Sequence, residues 1–186
     1  MILLETARLR LRRFTSADTD RLVELDSDPE VMRYITFGEP TTREEYETEI
    51  LPRWFSIYAA TPLLGYWAAE DRQSGEFHGW FHLRPDRIEP EHQELGYRLR
   101  RSSWGRGLAT EGGVALIRHG FGPVDATSIS ARALKDHLAS QRVMHKCGLR
   151  RAGEFVFPQH VLESRSESER AGVKYAVTRE QWAPLP

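Results

Sequence analysis

The residues whose types and spacing best suit chemistry are Trp104-Gly105-Arg106-Gly107-Leu108-Ala109-Thr110-Glu111, a glycine-broken loop that runs straight into a helical pattern. Gly105 and Gly107 tolerate positive φ and let a ligand approach the backbone. Several N–H groups can therefore converge where a helix N-terminus adds its own partial positive charge. Arg98, Arg100, Arg101 and Arg106 supply mobile charge around the loop. The combination suits a phosphate.

Three other readings of the loop compete with a general anion cradle. A nucleoside triphosphate loop needs a lysine and a hydroxyl residue after its second glycine, and Leu108-Ala109 stand there instead. A dinucleotide-binding turn needs a third glycine where Thr110 stands, and an acidic residue ending the next strand, whereas Asp125 precedes that strand. In the third reading the glycine pair only shapes a turn, and two glycines taken alone would favour it.

The elements that must position the loop follow from periodicity. Leu3 to Phe14 alternates, with Leu9 and Leu11 set against Arg8, Arg10 and Arg12, which predicts one half-buried strand. Thr15 or Ser16 caps a helix over Ala17 to Leu25, and Asp28-Pro29 opens a short second turn through Tyr34. Thr42-Arg43-Glu44-Glu45 reads as a capping box opening a helix that Pro52 should kink. Tyr66 to Glu70, Phe77 to Leu83 and Glu94 to Leu99 read as strands that form an antiparallel meander with the first. A helix from about Leu108 to Gly120, a strand over Ser128 to Leu134 and a helix over Leu138 to Cys147 follow, the last stopped by Gly148. Arg151 to Phe157 and Tyr175 to Thr178 are the closing strands, flanking the polar run Glu163 to Arg170, which reads as a solvated, mobile loop. The pattern predicts an α/β (α+β) fold, with a mixed, mostly antiparallel sheet of six to seven strands flanked by helices.

A chain of 186 residues suits a single domain spanning 1–186. With 26 basic and 27 acidic residues there is no global charge to recruit nucleic acid or an anionic membrane, so any anion site must be local. Met1-Ile2-Leu3-Leu4 is too short for a signal or membrane segment, which points to the cytoplasm. The single Cys147 excludes an internal disulfide and a cysteine-based metal site, and its spacing from Ala139 and Val143 places it in the core. No metal is expected.

Five segments in order then resemble the GNAT acetyltransferase superfamily, in the branch of the ribosomal-protein N-terminal (alanine/serine) acetyltransferases. These are Glu5 to Arg12, Asp28 to Tyr34, Glu94-Leu95-Gly96-Tyr97, Trp104 to Glu111, and Ser140 to Leu149. The loop matches the superfamily pattern at Gly107 and Ala109 and departs from it at Trp104. The resemblance implies that the backbone from Trp104 through Gly105, Arg106, Gly107, Leu108 and Ala109 to Thr110 holds the pyrophosphate of acetyl-CoA. It implies that the strand end Tyr97-Arg98-Leu99 pairs with the pantetheine arm. Arg101 and Arg106 become the candidates for the nucleotide phosphates. On the last core helix the superfamily's acid tyrosine is replaced by Met144 and its asparagine by His137, while Lys146 and Gly148 are kept. Within the closer branch a serine at the place of Ser140 serves the cofactor sulfur, so Ser140 is the leading acid or sulfur-orienting residue. His137 and Lys146 join the cofactor set.

Acetyl transfer from a thioester to an amine needs an unprotonated nucleophile and a proton for the departing thiolate. At pH 7 roughly a tenth of an α-amine is neutral, against well under a thousandth of a lysine. Glu94, at the start of the strand entering the loop, is positioned to take the amine proton directly or through water. His82 and His92 flank the region but read as structural. Trp54, Phe55, Tyr58, Trp67, Trp80 and Phe81 read as packing, with an acceptor groove as the alternative. The expected partner is a primary amine, a protein or peptide N-terminus ahead of a small-molecule amine such as an amino acid, polyamine or aminoglycoside. A monomer or homodimer is expected. An acyl-CoA-binding module without turnover is the reading from a different class.

Overall fold

The computed structural model describes residues 1–159, 162 and 165–182. It contains one sheet of eight strands in the order β1-β2-β3-β4-β5-β6-β8-β7, one more strand than the alternation predicts. The difference lies at the N-terminus, where the expected single strand is a hairpin of β1 (Ile2–Glu5) and β2 (Leu9–Arg13). Thr6 makes the turn: its N–H donates to the Leu9 carbonyl, its hydroxyl oxygen accepts the Leu9 N–H, and the hydroxyl donates to Glu111 at 2.6 Å. A partner 105 residues away therefore decides where the alternating run breaks.

Thr15 starts the next segment by donating its N–H and hydroxyl to Asp18, and a 3-10 turn leads into α1 (Thr19–Asp26). The Asp28 carboxylate accepts the Glu30 N–H at the head of α2 (Pro29–Met32). The Thr42 capping box opens α3 (Arg43–Glu45), which continues through a π-helical segment (Tyr46–Ile50) into α4 (Leu51–Ala60). The disturbance expected at Pro52 takes the form of that widened turn, which absorbs the missing N–H without ending the helix.

Strands β3 (Gly65–Asp71), β4 (Phe77–Pro85) and β5 (Gln93–Leu99) extend the hairpin as an antiparallel meander. Helix α5 (Leu108–Phe121) then crosses to β6 (Ser128–Leu134), the one parallel neighbour, and α6 (Leu138–Lys146) leads to β7 (Arg150–Val156) and β8 (Ala171–Thr178). Of the polar run, Glu163 and Ser164 lie outside the described residues, and 167–170 fold into turns.

Side chains alternate across this sheet to build two cores. Leu9, Leu11, Trp67, Phe81, Leu83 and Leu95 face α5, where Leu116 and Ile117 are fully buried, and Cys147 lies in the same cluster. Each such side chain contributes about 1.5–3 kcal/mol. On the other face Tyr66, Ala68 and Trp80 pack against Leu22, Leu25 and Trp54 from the early helices. The ring of Trp54 stacks on Tyr66 at 4.3 Å, and the aromatic set is packing as expected, with only Phe55 of the six half-buried. Helix α5 lies close to the sheet because Gly112 sits on the Phe81 ring, where a Cβ would come within 2.3 Å of it.

Candidate active site

The geometry around β5 determines what a ligand can reach. β5 pairs with β6 only at Gln93↔Ile129 and Glu94↔Ser130, so beyond Glu94 the two strands separate and leave a notch. The Arg100 N–H donates to the His78 carbonyl of the neighbouring strand at 2.9 Å. Alternation then turns the amide groups of Tyr97 and Leu99 the other way, toward the notch. The Leu99 carbonyl accepts from the indole of Trp104 at 2.8 Å, which folds the start of the loop back over the end of β5.

The loop itself is open to solvent from Trp104 to Gly107. Gly105 and Gly107 have φ of 72° and 80°, in the left-handed region, and nothing lies within 4 Å of where a Gly105 Cβ would stand. Gly107 is the N-cap of α5, so the first-turn N–H groups of Leu108, Ala109 and Thr110 have no partner within the helix. The loop is clamped from behind by Arg8, which donates to the Arg106 carbonyl at 2.9 Å and pairs with Glu111. Burial pushes the Glu111 carboxyl up, but Thr6 and Arg8 more than offset it and hold it below the usual carboxylate range. This clamp joins the first and the fourth of the five resemblance segments in space.

The predicted arginines divide. Arg98 turns to the other face of β5 and pairs with the buried Asp26 at 2.5 Å, with its guanidinium over Trp80, so only its backbone borders the notch. Arg100 pairs with Glu24 and Arg101 approaches Asp28 at 3.3 Å. Arg106 is exposed and makes no ion pair among the described residues. Lys146 is exposed at the far end of α6, six residues beyond Ser140.

Ser140 and Tyr97 are brought together across the notch. The Tyr97 hydroxyl lies 3.0 Å from the Ser140 Oγ, a contact in which either oxygen can donate, and 3.1 Å from the Ser140 carbonyl, which can only accept. Ser140 is buried, and its hydroxyl contacts Tyr97 rather than a carbonyl of its own helix. His137 is the N-cap of α6, stacked on Tyr34 at 4.2 Å, and burial pushes its pKa down to about 4, so its ring is neutral at physiological pH. Arg33 and Tyr34 line a cavity of about 310 Å³ with Phe37, Lys135, Asp136 and Glu169, beside that stack.

Glu94 stands on the opposite face of β5 from Tyr97. Its carboxylate meets Arg84 at 2.5 Å and lies 3.9 Å from Arg132. Burial raises its pKa, Arg84 opposes the shift and Asp86 adds to it, and the balance lies above the usual carboxylate range. Arg84 could have been found from sequence, because it falls directly across from Glu94 in the β4–β5 register. Asp86 and Arg132, which join Ser130 beneath it, carry no local signal.

His82 is nine-tenths buried on the Glu94 face, flat over Gly96, and neither ring nitrogen has a partner among the described residues. Burial and the nearby Arg84, Arg87 and Arg98 hold its pKa well below 6.5. An unpartnered buried polar group costs about 1–3 kcal/mol. His82→Leu should therefore unfold at the same or a higher urea concentration than the parent chain, and a clear loss of stability would show that the ring has a polar partner. His92 lies 3.4 Å from Glu89, at the surface end of β5.

Among the described residues no cluster of three or more His, Cys, Asp or Glu could hold a metal ion, and no helix is long and apolar enough to cross a membrane.

Comparison with known proteins agrees with this geometry. Residues 8–150 match the family model of the acetyltransferase (GNAT) domain. The chain is 30% identical, over 96% of its length and 77% of the relative's, to FsC-acetyl coenzyme A-N(2)-transacetylase of Aspergillus fumigatus. A GNAT-family acetyltransferase from Bacillus anthracis shares the fold with a TM-score of 0.79 at 23% identity, covering 97% of this chain and 99% of that one. A ribosomal alpha-N-protein acetyltransferase in complex with coenzyme A shares it with a TM-score of 0.76 at 16% identity, covering 96% and 98%. The notch, the clamped glycine loop and the family match converge on one conclusion: the chain belongs to the GNAT acetyltransferase family and is an acetyl-CoA-dependent N-acetyltransferase.

Proposed function

We propose that this enzyme acetylates an α-amine, with the acceptor arriving on the Glu94 face of β5 and the leaving sulfur served from the Ser140 face. The observation that carries the reading is the notch itself. Its β5 edge presents the Tyr97 and Leu99 amides, and its two faces present a carboxylate and a hydroxyl of different character.

Bound acetyl-CoA supplies the acetyl group as a thioester. The Trp104–Thr110 backbone holds its pyrophosphate, the Tyr97–Leu99 edge pairs with the pantetheine amides, and Arg101 and Arg106 approach the nucleotide phosphates. Glu94 takes the amine proton, directly or through water. Its raised pKa narrows the gap to an α-ammonium, whose pKa is near 8, whereas the gap to a lysine stays several units wide. Ser140 donates a hydrogen bond from its hydroxyl to the sulfur. His137, neutral, donates a hydrogen bond but is no imidazolium acid. The cavity beside Tyr34 receives the body of the acceptor.

A protein or peptide N-terminus provides such an amine. The name of the Aspergillus fumigatus relative, an N(2)-transacetylase, favours an amine on a small molecule as the second reading. Thiol release from acetyl-CoA should be measured with Ala- and Ser-initiated peptides, their N-terminally blocked forms carrying a free lysine, and free amino acids and polyamines. Turnover restricted to α-amines is expected. Preference for the blocked, lysine-bearing peptides or for polyamines would overturn the α-amine assignment.

A further inference from the structure

We infer that Tyr97 is a positioning residue that holds the Ser140 hydroxyl in the orientation needed to stabilise the departing sulfur. The inference rests on the sulfur role proposed above for Ser140 and adds a residue that acts only through it. Tyr97 comes from β5 and Ser140 from the first turn of α6, so their contact spans the notch from one wall to the other.

A serine near the start of a helix has a competing option, donation to the carbonyl four residues back, here that of Asp136. Tyr97 removes the advantage of that option. Its single O–H lies within reach of both the Ser140 carbonyl at 3.1 Å and the Ser140 Oγ at 3.0 Å. When the phenol donates to Oγ rather than to the carbonyl, the serine oxygen is engaged as acceptor and its own hydrogen is free to point into the notch. Burial raises the Tyr97 pKa, so the phenol remains protonated, and a donor, throughout the physiological range. The ring is fixed independently of the hydroxyl, tilted against Phe81 at 6.1 Å. The other titratable groups at this corner are His137, which stacks on Tyr34 instead, and Cys147, whose thiol faces the Thr110 carbonyl and is pushed up to about 12 by burial. The acid tyrosine absent at Met144 is thus not replaced by another acid. A serine oriented by a tyrosine from a different element stands at the notch instead.

No proton leaves Tyr97 in this role. As the amine nitrogen bonds the acetyl carbon and its proton passes to Glu94, the C–S bond breaks, the sulfur keeps the electron pair, and the Ser140 O–H hydrogen-bonds to it while the Tyr97 O–H hydrogen-bonds to the Ser140 oxygen. Stabilising the thiolate lowers the pKa of the bound CoA thiol, which is measurable without an acceptor. CoA labelled with carbon-13 beside the sulfur should be titrated by NMR in complex with the parent enzyme, Tyr97→Phe, Ser140→Ala and the double variant. The expected result is a thiol pKa raised in each single variant, about a tenfold change in ionisation constant for Tyr97→Phe. The double variant should go no further than Ser140→Ala. A shift in Ser140→Ala with none in Tyr97→Phe would overturn the positioning role and leave the serine assignment standing. No shift in either would remove the serine assignment as well. Additive shifts would mean that Tyr97 reaches the sulfur by itself, against the inference.

Discussion

Gly79→Ala is expected to remove most of the protein's stability, about 4 kcal/mol or more, against the 5–15 kcal/mol typical of a folded domain. Gly79 has a φ of +130°, and a Cβ there would fall 2.2 Å from the Arg98 carbonyl oxygen and 2.7 Å from the Leu99 Cα. Those are backbone atoms of β5, so no rotamer change relieves the clash and the strand itself must move. β5 resists because Arg98 is anchored to the buried Asp26, which also accepts from Tyr46 at 2.6 Å. The control is Gly75→Ala, where φ is +75° but nothing lies within 4 Å, so only the backbone penalty of about 1–2 kcal/mol applies. Urea unfolding of both variants checks the claim, and equal losses would show that steric contact with β5 is not the cause.

Glu94→Gln should lower kcat/KM for an α-amine acceptor by about 100-fold or more, the ordinary scale of a lost general base. The pH dependence carries the sharper signature. With Glu94 as the proposed base, activity should follow the carboxylate, whose fraction falls as pH drops through the folded-state pKa. Burial places that pKa above the usual carboxylate range, so the acid limb of the parent enzyme should lie at higher pH than an exposed glutamate would give, and Glu94→Gln should lack it. The substitution also leaves Arg84, itself buried, facing a neutral group, which costs stability on the scale of a broken buried pair, about 3–5 kcal/mol. Assays well below the variant's melting temperature separate the two effects. A folded Glu94→Gln enzyme with unchanged kcat/KM and an unchanged acid limb would eliminate Glu94 as the base.

Much of this site could be read along the chain because its parts are local. The glycine loop announces itself by two residues that accept left-handed backbone next to a helical pattern, and both adopt it. β6 spans the range expected from its alternation, and α5 differs by one residue at its end. Cys147 is buried where its helical spacing placed it. Period and φ preference are properties of a few neighbouring residues, so a single sequence expresses them.

What the fold alone decided depends on residues far apart in the chain. The N-terminal run broke into a hairpin because Thr6 and Arg8 answer to Glu111, which no local alternation encodes. Arg98 resembled its neighbours as a mobile cation, yet it turns to Asp26 because successive strand side chains face opposite ways and α1 covers that face. The separation of β5 from β6 after Glu94, and the meeting of Tyr97 with Ser140 across it, join residues 36 to 43 positions apart, which no local pattern encodes. Sequence by itself determined the types of group available and the elements that carry them. Tertiary structure decided which face of β5 each group occupies, because side-chain direction on a strand has chemical meaning only once both faces are covered.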